Sequence, residues 1–247
     1  LILTTTDLGY NQLKRNKNVK NYIYIFHAAN SVHRAYTKTA FDNYDEVFCI
    51  GDYQIKELKR IEILRNLKKK RLTKIGYFFF DKLPEVNTID ENKILIAPSW
   101  NYNKNNFVSV YLDILIDAIL KNTQYDIVFR PHPEHLKRSK NIIKKINNKF
   151  SKSTRFKFDN DKDNYNAMLK SKCMITDNSG ISIEYIFGFG RPVLYFDKFL
   201  KVHNDEFDNI QIEPIEDKVK KLFGYSVQNP DFKKINEYIN YAISTFN

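Results

Sequence analysis

The stretch CMITDNSGISIEYIFGFGRPVLYF, residues 173–196, decides the fold. It begins with one apolar segment, Cys173–Thr176, and ends with another, Pro192–Phe196, each with the length and composition of a buried strand. Between them, Asp177-Asn178-Ser179-Gly180 leads into the helix-like segment Ile181–Phe187. Strand, turn, helix and strand in this order predict a βαβ unit with two parallel strands.

The same alternation runs through the rest of the chain and predicts an α/β architecture with right-handed crossovers. Several strand candidates are apolar throughout, as in parallel sheets covered on both faces. The strand candidates are Leu1–Thr5, Tyr22–Phe26, Glu46–Ile50, Leu72–Gly76, Lys93–Ala97, Tyr125–Phe129, Arg155–Phe158, Cys173–Thr176 and Pro192–Phe196. The helix candidates are Ile55–Leu67, which is apolar at every third position, and Val110–Leu120, Asn141–Ile146, Tyr165–Leu169, Ser182–Phe187 and Ile235–Ile243.

The polar segment Asp81–Asn92, which contains Pro84, is predicted to be a linker between two Rossmann-type domains that face a cleft. The predicted domains are residues 1–84 and residues 85–247. The chain begins directly with the strand-like Leu1–Thr5, so we expect the N-terminal domain to be incomplete.

Composition limits the class of protein. The chain has 247 residues, 43% of them hydrophobic, which excludes disordered and low-complexity classes. Cys49 and Cys173 lie in apolar runs, which disfavours a disulfide framework, and no apolar run reaches the length of a membrane-spanning helix. The net charge of +11 favours an anionic partner, either nucleic acid, acidic lipid or a phosphate-rich substrate, or reflects a lysine-rich solvated surface.

Ligands of parallel α/β sheets bind at the carboxyl ends of the strands, so residues that follow strands are the first candidates. His27 follows Tyr22–Phe26 and precedes two alanines, where it would serve as a general base or as a partly buried structural histidine. Arg130 and His132 follow Tyr125–Phe129, each before a proline; they would bind phosphate oxygens, unless the segment is a plain turn. Of the other histidines, His33, His135 and His203 are predicted to lie on the surface, with His33 and Arg34 as second-rank candidates.

The residues after Cys173–Thr176 precede a helix, whose N-terminal N–H groups favour a phosphate. Ser179 and Gly180 would let that phosphate approach, although Asp177 or Ser179 would equally serve as an N-cap. Glu184, one turn later, would hold a ribose hydroxyl or lie exposed on the helix. Ser99, after Lys93–Ala97, would bind phosphate or only pack.

Other chemistries fit poorly. The sequence contains no Walker A loop, no Gly-x-Gly-x-x-Gly after a strand and no Gly-x-Ser-x-Gly elbow, which disfavours P-loop NTPases, typical dehydrogenases and α/β-hydrolases. No group of side chains has metal-ligand spacing, so neither a metal nor a cofactor is predicted. The basic residues are scattered and no nucleic-acid-binding motif is present, so no nucleic-acid partner is predicted.

The order of these strand-end motifs resembles the CDP-glycerol glycerophosphotransferase family, the teichoic-acid and capsule polymerases and primases with the GT-B fold. The similarity runs from Leu1 to about Phe207. It rests on Tyr24-Ile25-Phe26-His27, Phe48-Cys49-Ile50-Gly51 with Gly76 and Asp81, Ala97-Pro98-Ser99-Trp100, Arg130-Pro131-His132-Pro133 and Ile175-Thr176-Asp177-Asn178-Ser179-Gly180. The chain departs from the family pattern at Ala28, Asn101 and Gly180, where the family has Gly, Arg and Ser.

The resemblance implies a GT-B-like fold, with an acceptor-side domain in residues 1–84 and a donor-binding domain in residues 85–247. An acceptor hydroxyl of a polymer or lipid-linked acceptor would attack a CDP-linked alditol phosphate and release CMP. His27 and His132 would be catalytic. Arg130, Ser99, Ser179 and Gly180 would hold the diphosphate, and Asp177 and Glu184 the nucleoside.

Two further readings follow from the resemblance. The pattern Asp177, Ser179-Gly180 and Glu184 is also similar to GT-B glycosyltransferases and to hydrolysing UDP-N-acetylglucosamine 2-epimerases, which remain the alternative. An enzyme that builds a surface polymer from a nucleotide donor would work in the cytoplasm, at the inner face of the plasma membrane. Arg65–Arg71, including the run Lys68–Arg71 that we expect to end a helix, or Tyr77–Phe80 would then contact anionic lipid; Phe78–Phe80 would equally be core.

Overall fold

A computed structural model describes residues 1–10, 13–83, 90–162 and 165–246. Its strands are β1 (Ile2–Leu3), β2 (Ile23–Ile25), β3 (Glu46–Cys49), β4 (Arg71–Lys74), β5 (Asp90–Ile96), β6 (Asp126–Phe129), β7 (Phe156–Phe158), β8 (Ser171–Thr176), β9 (Val193–Tyr195) and β10 (Gly224–Ser226). Its helices are α1 (Val32–Ala35), α2 (Asp52–Leu64), α3 (Phe107–Val110), α4 (Leu112–Asn122), α5 (Pro133–Arg138), α6 (Lys140–Phe150), α7 (Tyr165–Lys170), α8 (Ile181–Phe189), α9 (Phe207–Ile210), α10 (Ile215–Phe223) and α11 (Ile235–Ser244). Short 3₁₀ helices form at Phe80–Lys82 and Phe232–Lys234.

The chain divides into two compact units. The first consists of Leu1–Asp81 and Lys201–Lys218, and the second of Lys82–Leu200 and Val219–Asn247. The predicted boundary between residues 84 and 85 lies outside the described residues. The linker prediction also fails at its end, because β5 begins at Asp90.

The return segment, defined as Lys201–Lys218, belongs to the first unit although the sequence analysis placed it in the C-terminal domain. Polar contacts to α1 explain why. The Nε2 atom of His33 lies 2.9 Å from the carbonyl oxygen of Ile212, and Nη1 of Arg34 lies 2.7 Å from Oδ1 of Asp217. His33 is fully buried, so the prediction that it lies on the surface is wrong.

Both sheets are parallel. The first has the order β1-β2-β3-β4 and the second the order β10-β9-β8-β5-β6-β7. Each predicted strand overlaps one of these strands. The strand β10 was missed because its Gly-Tyr-Ser sequence is not an apolar run; it pairs with β9 at the edge of the sheet, Tyr225 opposite Leu194.

The order in which the chain adds strands to the second sheet reverses at β5. From β5 the chain adds β6 and then β7 on one side, whereas β8, β9 and β10 extend the sheet on the other side of β5. The loops that follow β5 and β8 therefore diverge at a topological switch point, which is where open α/β sheets bind their ligands.

The second unit is stabilised by the apolar face of α4. Leu112, Leu115, Ile116 and Ile119 recur with helical periodicity and are all fully buried against the sheet. Ile114, on the opposite face of α4, is 54% exposed. The first unit has a smaller core.

The basic run Lys68–Arg71 does not end a helix, contrary to the sequence prediction. The helix α2 stops at Leu64 because Asn66 adopts a left-handed conformation with φ of 49°, and the N–H of Leu67 then bonds to the carbonyl of Glu62 at 2.9 Å. This pattern is a Schellman motif, which reverses the chain before any lysine of the run is reached.

No helix in the described ranges is long and apolar enough to cross a bilayer.

Leu112→Ala should lower the stability of the second unit by about 2–5 kcal/mol, because it removes a fully buried side chain and leaves a cavity. Urea unfolding measures the change. The matched control on the same helix is Ile114→Ala, which should shift stability by less than about 0.5 kcal/mol. Equal losses in both variants would contradict this account of the core.

Candidate functional site

Ser99 and Asp177 meet at the switch point of the second sheet. Ser99 follows β5, Asp177 directly follows β8, and these two strands are neighbours. The backbone N–H and the hydroxyl of Ser99 donate to the two carboxylate oxygens of Asp177, each at 2.7 Å. Because hydrogen bonds to a charged acceptor are strong and both residues are buried, this pair fixes the two loops to each other.

His135 contacts the loop that contains Ser99. Its Nε2 atom lies 3.0 Å from the carbonyl oxygen of Ser99, and its ring contacts that of Trp100 edge-on at 4.9 Å between centroids. His135 is fully buried, so the prediction that it lies on the surface is wrong. Its signal in the sequence was its place three residues after His132.

Arg130 is paired with Asp159 by the register of the sheet. Phe129 of β6 lies opposite Phe158 of β7, so the residues that follow these phenylalanines are adjacent. Nη1 of Arg130 lies 2.7 Å from Oδ2 of Asp159, and its Nη2 donates to the carbonyl of Asp161 at 2.9 Å. The guanidinium is thus held at the carboxyl edge of the sheet, largely buried.

Asp159 was not among the predicted site residues. It directly follows the predicted strand Arg155–Phe158, so the same strand-end rule that selected His27 and Arg130 would have found it.

His132 has a defined tautomer. It precedes α5, and its Nδ1 atom accepts the backbone N–H of Glu134 at 3.1 Å, while Pro133 occupies the first helical position. A ring nitrogen that accepts cannot carry the proton of a neutral imidazole, so the proton lies on Nε2. The ring N–H of His132 is therefore on Nε2, and the residue lies just after the carboxyl end of β6.

The helix α8 begins with small residues. Gly180 is its N-cap, no side chain caps the helix, and Ser182 bonds through its N–H and hydroxyl to the carbonyl of Ser179. The arrangement suits an anion, since a helix N-terminus carries partial positive charge. Glu184, within the first turn, is 8% exposed, so the alternative of an exposed helix acid is wrong.

A lysine that sequence reasoning did not select lies beside this helix start. Nζ of Lys220 donates to Oδ1 of Asn178 at 3.1 Å and to Oδ2 of Asp197 at 3.0 Å. Asn178 follows β8 and Asp197 follows β9, so the lysine links two neighbouring strand ends. Nothing in the sequence around Lys220 singles it out.

His27 belongs to the first unit and follows β2. Its side chain is exposed, yet partial loss of solvent around the ring lowers its pKa below the usual value for histidine. No hydrogen bond reaches the His27 ring from any described residue. The ring is therefore largely neutral near pH 7, the form that accepts a proton.

The structure thus places all of the predicted donor-side residues at one edge of the second sheet. Those at the carboxyl edge of the second sheet are Ser99, Arg130, His132, Asp177, Ser179, Gly180 and, one turn into α8, Glu184. Within the described ranges, no group of three or more His, Cys, Asp or Glu side chains is placed to hold a metal ion.

No curated protein matches the chain in sequence. Among solved structures, the wall teichoic acid polymerase TagF is similar at 18% identity and a TM-score of 0.57, over 93% of this chain and 61% of that one. UDP-GlcNAc 2-epimerase from Methanocaldococcus jannaschii, solved with UDP-GlcNAc and UDP, is similar at 11% identity and a TM-score of 0.55, over 90% of this chain and 62% of that one. These likenesses confirm the predicted GT-B-like α/β fold.

The chain spans less than two thirds of the length of either structure. A family model described as CDP-Glycerol:Poly(glycerophosphate) glycerophosphotransferase matches residues 5–208. Because this match extends over most of the chain, the chain belongs to the CDP-glycerol:poly(glycerophosphate) glycerophosphotransferase family.

Proposed function

We propose that the protein carrying this chain transfers glycerol phosphate, or a related alditol or sugar phosphate, from a CDP-linked donor to an acceptor hydroxyl. The acceptor oxygen forms a bond to the phosphorus next to the alcohol, the bond from that phosphorus to CMP breaks, and the acceptor proton passes to a base. The product is a phosphodiester in a teichoic-acid or capsule polymer. Membership of the family, through the match over residues 5–208, carries this proposal.

The donor diphosphate would bind at the carboxyl edge of the second sheet. Arg130 supplies a guanidinium whose direction is set by Asp159, and His132 supplies its Nε2–H. The N–H groups around Ser179 and Gly180 add partial positive charge. Groups that are already oriented before the reaction stabilise developing charge without reorganising, which is how phosphoryl transfer is accelerated.

Ser99, Asp177 and Glu184 would complete the donor site. Because both oxygens of Asp177 accept hydrogen bonds from Ser99, we assign Asp177 the role of orienting the Ser99 loop in addition to its predicted part in nucleoside binding. Glu184, in the first turn of α8, would hold a ribose hydroxyl of a nucleotide bound at the helix start.

His27 would take the proton of the acceptor hydroxyl. A neutral imidazole whose ring nitrogens bond to no described residue is suited to this step, and the lowered pKa of His27 favours that neutral form near pH 7.

We also propose that the protein works at the surface of an anionic membrane, because the acceptor of a surface polymer is lipid-linked and the nucleotide donor is made inside the cell. The basic segment Arg65–Arg71 contributes less charge than its sequence suggests. Arg65 pairs with Asp42, Arg71 with Glu46, and the largely buried Lys70 lies 3.7 Å from Glu62. Of the aromatic run, Phe78 is 48% exposed, whereas Tyr77 and Phe79 are buried.

The first test is nucleotide release by the protein carrying this chain, with CDP-glycerol, CDP-ribitol and UDP-N-acetylglucosamine as donors. We expect CMP from a CDP-linked donor, and a loss of at least about 100-fold in His27→Ala, since general base catalysis contributes about that much. His203→Ala, at a half-buried histidine of the same unit, should retain activity. Release of UDP or UMP from the sugar donor would instead favour the glycosyltransferase or epimerase alternative.

The rate should fall on acidification with an apparent pKa below 6.5, because only neutral His27 accepts the proton and partial burial lowers its pKa. Above that pKa the base is already neutral, so this group adds no further rate. Measurement of kcat/KM between about pH 5 and 8 gives the profile. If the same acidic limb persisted in His27→Ala, another group would be the base.

Arg130→Lys should raise the KM for the donor at least about tenfold, because lysine keeps the charge but loses the planar fork that binds phosphate oxygens and Asp159 together. Arg138→Lys is the matched control, at an exposed arginine at the end of α5 that pairs with Glu134. Steady-state kinetics with varied donor measure both. Equal donor KM values in Arg130→Lys and the wild type would exclude Arg130 from the donor site.

A further inference from the structure

The backbone of residues 27–31, here called the His27 loop, is held by side chains from three separate parts of the first unit. The loop connects β2 to α1 and carries the histidine proposed as the base. Each of the three side chains bonds to a different residue of the loop.

Tyr77 holds the first residue of the loop. Its hydroxyl donates to the carbonyl oxygen of His27 at 3.0 Å, and its side chain is buried. Tyr77 reaches this position because Gly76, just after β4, has φ of +80°, a conformation that favours glycine. An added Cβ at Gly76 would meet no atom within 4 Å, so the requirement for glycine there is one of backbone conformation.

Gln54 holds the fourth residue of the loop. Its amide nitrogen donates to the carbonyl of Asn30 at 3.0 Å, and its amide oxygen accepts the N–H of Ile50 at 2.7 Å. The side chain is fully buried in the first turn of α2. It therefore ties the His27 loop to the end of the neighbouring strand β3.

Glu216 holds the end of the loop. One carboxylate oxygen accepts the N–H of Ser31 at 3.1 Å, and the other accepts the Ser31 hydroxyl at 2.7 Å. Ser31 is the N-cap of α1 but its side chain makes no capping bond, because it donates to Glu216 instead. The next N–H, that of Val32, is accepted by the fully buried Glu57.

The backbone of the His27 loop and the His27 imidazole differ in how they are held. The backbone is bonded to buried or half-buried side chains, whereas the His27 ring is exposed and receives no hydrogen bond from the described residues. A general base must be positioned precisely relative to the proton that it accepts. Where the base itself is exposed to substrate, residues that hold its backbone provide this positioning.

We propose that Tyr77, Gln54 and Glu216 are positioning residues that fix the His27 loop so that its imidazole meets the acceptor hydroxyl. That the His27 imidazole meets an acceptor hydroxyl rests on the proposed function. That the three side chains fix the loop rests on their contacts alone, and a separate measurement tests each statement.

The test uses Tyr77→Phe, which removes one hydroxyl and keeps the buried ring. The matched control is Tyr44→Phe, since Tyr44 is a buried tyrosine of the same unit whose hydroxyl donates to a backbone carbonyl, that of Thr5. The protein carrying the chain is labelled for NMR, and the His27 signal is identified by its loss in His27→Ala. Its titration midpoint is measured without substrate in each variant.

In Tyr77→Phe the midpoint of His27 should rise toward the ordinary value of about 6.5, because a loosened loop gains solvent around the ring. In Tyr44→Phe it should stay at the wild-type value. An unchanged His27 midpoint in Tyr77→Phe, or an equal shift in both variants, would overturn the proposal. This measurement needs no donor, so it gives its answer even if the proposed reaction is not found.

The kinetic arm uses whichever donor the wild type accepts. Tyr77→Phe should lower kcat about tenfold and leave the donor KM within about twofold, because a displaced base slows the chemical step. Glu216→Gln, which keeps the size of the side chain but has one oxygen to accept two donors, should act in the same direction. If Tyr77→Phe and Tyr44→Phe lost the same fraction of kcat, the proposal would be overturned, because the losses would then reflect stability alone.

Discussion

The pairing of β5 with β6 on one side and β8 on the other is the constraint on which the candidate donor site depends. It places the loops after these strands at one sheet edge, and the two hydrogen bonds between Ser99 and Asp177 join two of them. The register of β6 and β7 does the same for Arg130 and Asp159. Residues far apart in sequence are thus oriented by backbone hydrogen bonds that form with the sheet itself.

In both units, side chains fix loops by hydrogen bonds, but the groups that they hold differ. In the second unit, acidic side chains orient groups that donate, namely the Ser99 loop and the Arg130 guanidinium. In the first unit, neutral and acidic side chains hold the backbone of the His27 loop and the Ser31 hydroxyl, and the imidazole of His27 is left without a bond from the described residues. A binding site gains from groups fixed in advance, whereas a base must keep its nitrogen available to the substrate.

Sequence patterns predicted the strands other than β10 and most strand-end residues, because apolar runs and the residues that follow them are local features. The partners of those residues were not predictable in this way. Asp177 and Ser99 are 78 positions apart, and Glu216 lies 185 positions from Ser31, so only the folded topology brings them together. Burial was also misjudged for two polar residues, His33 and His135. Both are buried, and one ring nitrogen of each lies within hydrogen-bond distance of a backbone carbonyl oxygen.

The membership of Lys201–Lys218 in the first unit has a consequence for synthesis on the ribosome. Domains generally fold as they emerge, N-terminal part first. Here Ser31 and Arg34 meet their carboxylate partners only after Glu216 and Asp217 have left the exit tunnel. These polar groups of the first unit therefore stay without their carboxylate partners while β5 to β9 are translated, and the contacts to Lys201–Lys218 form late in synthesis.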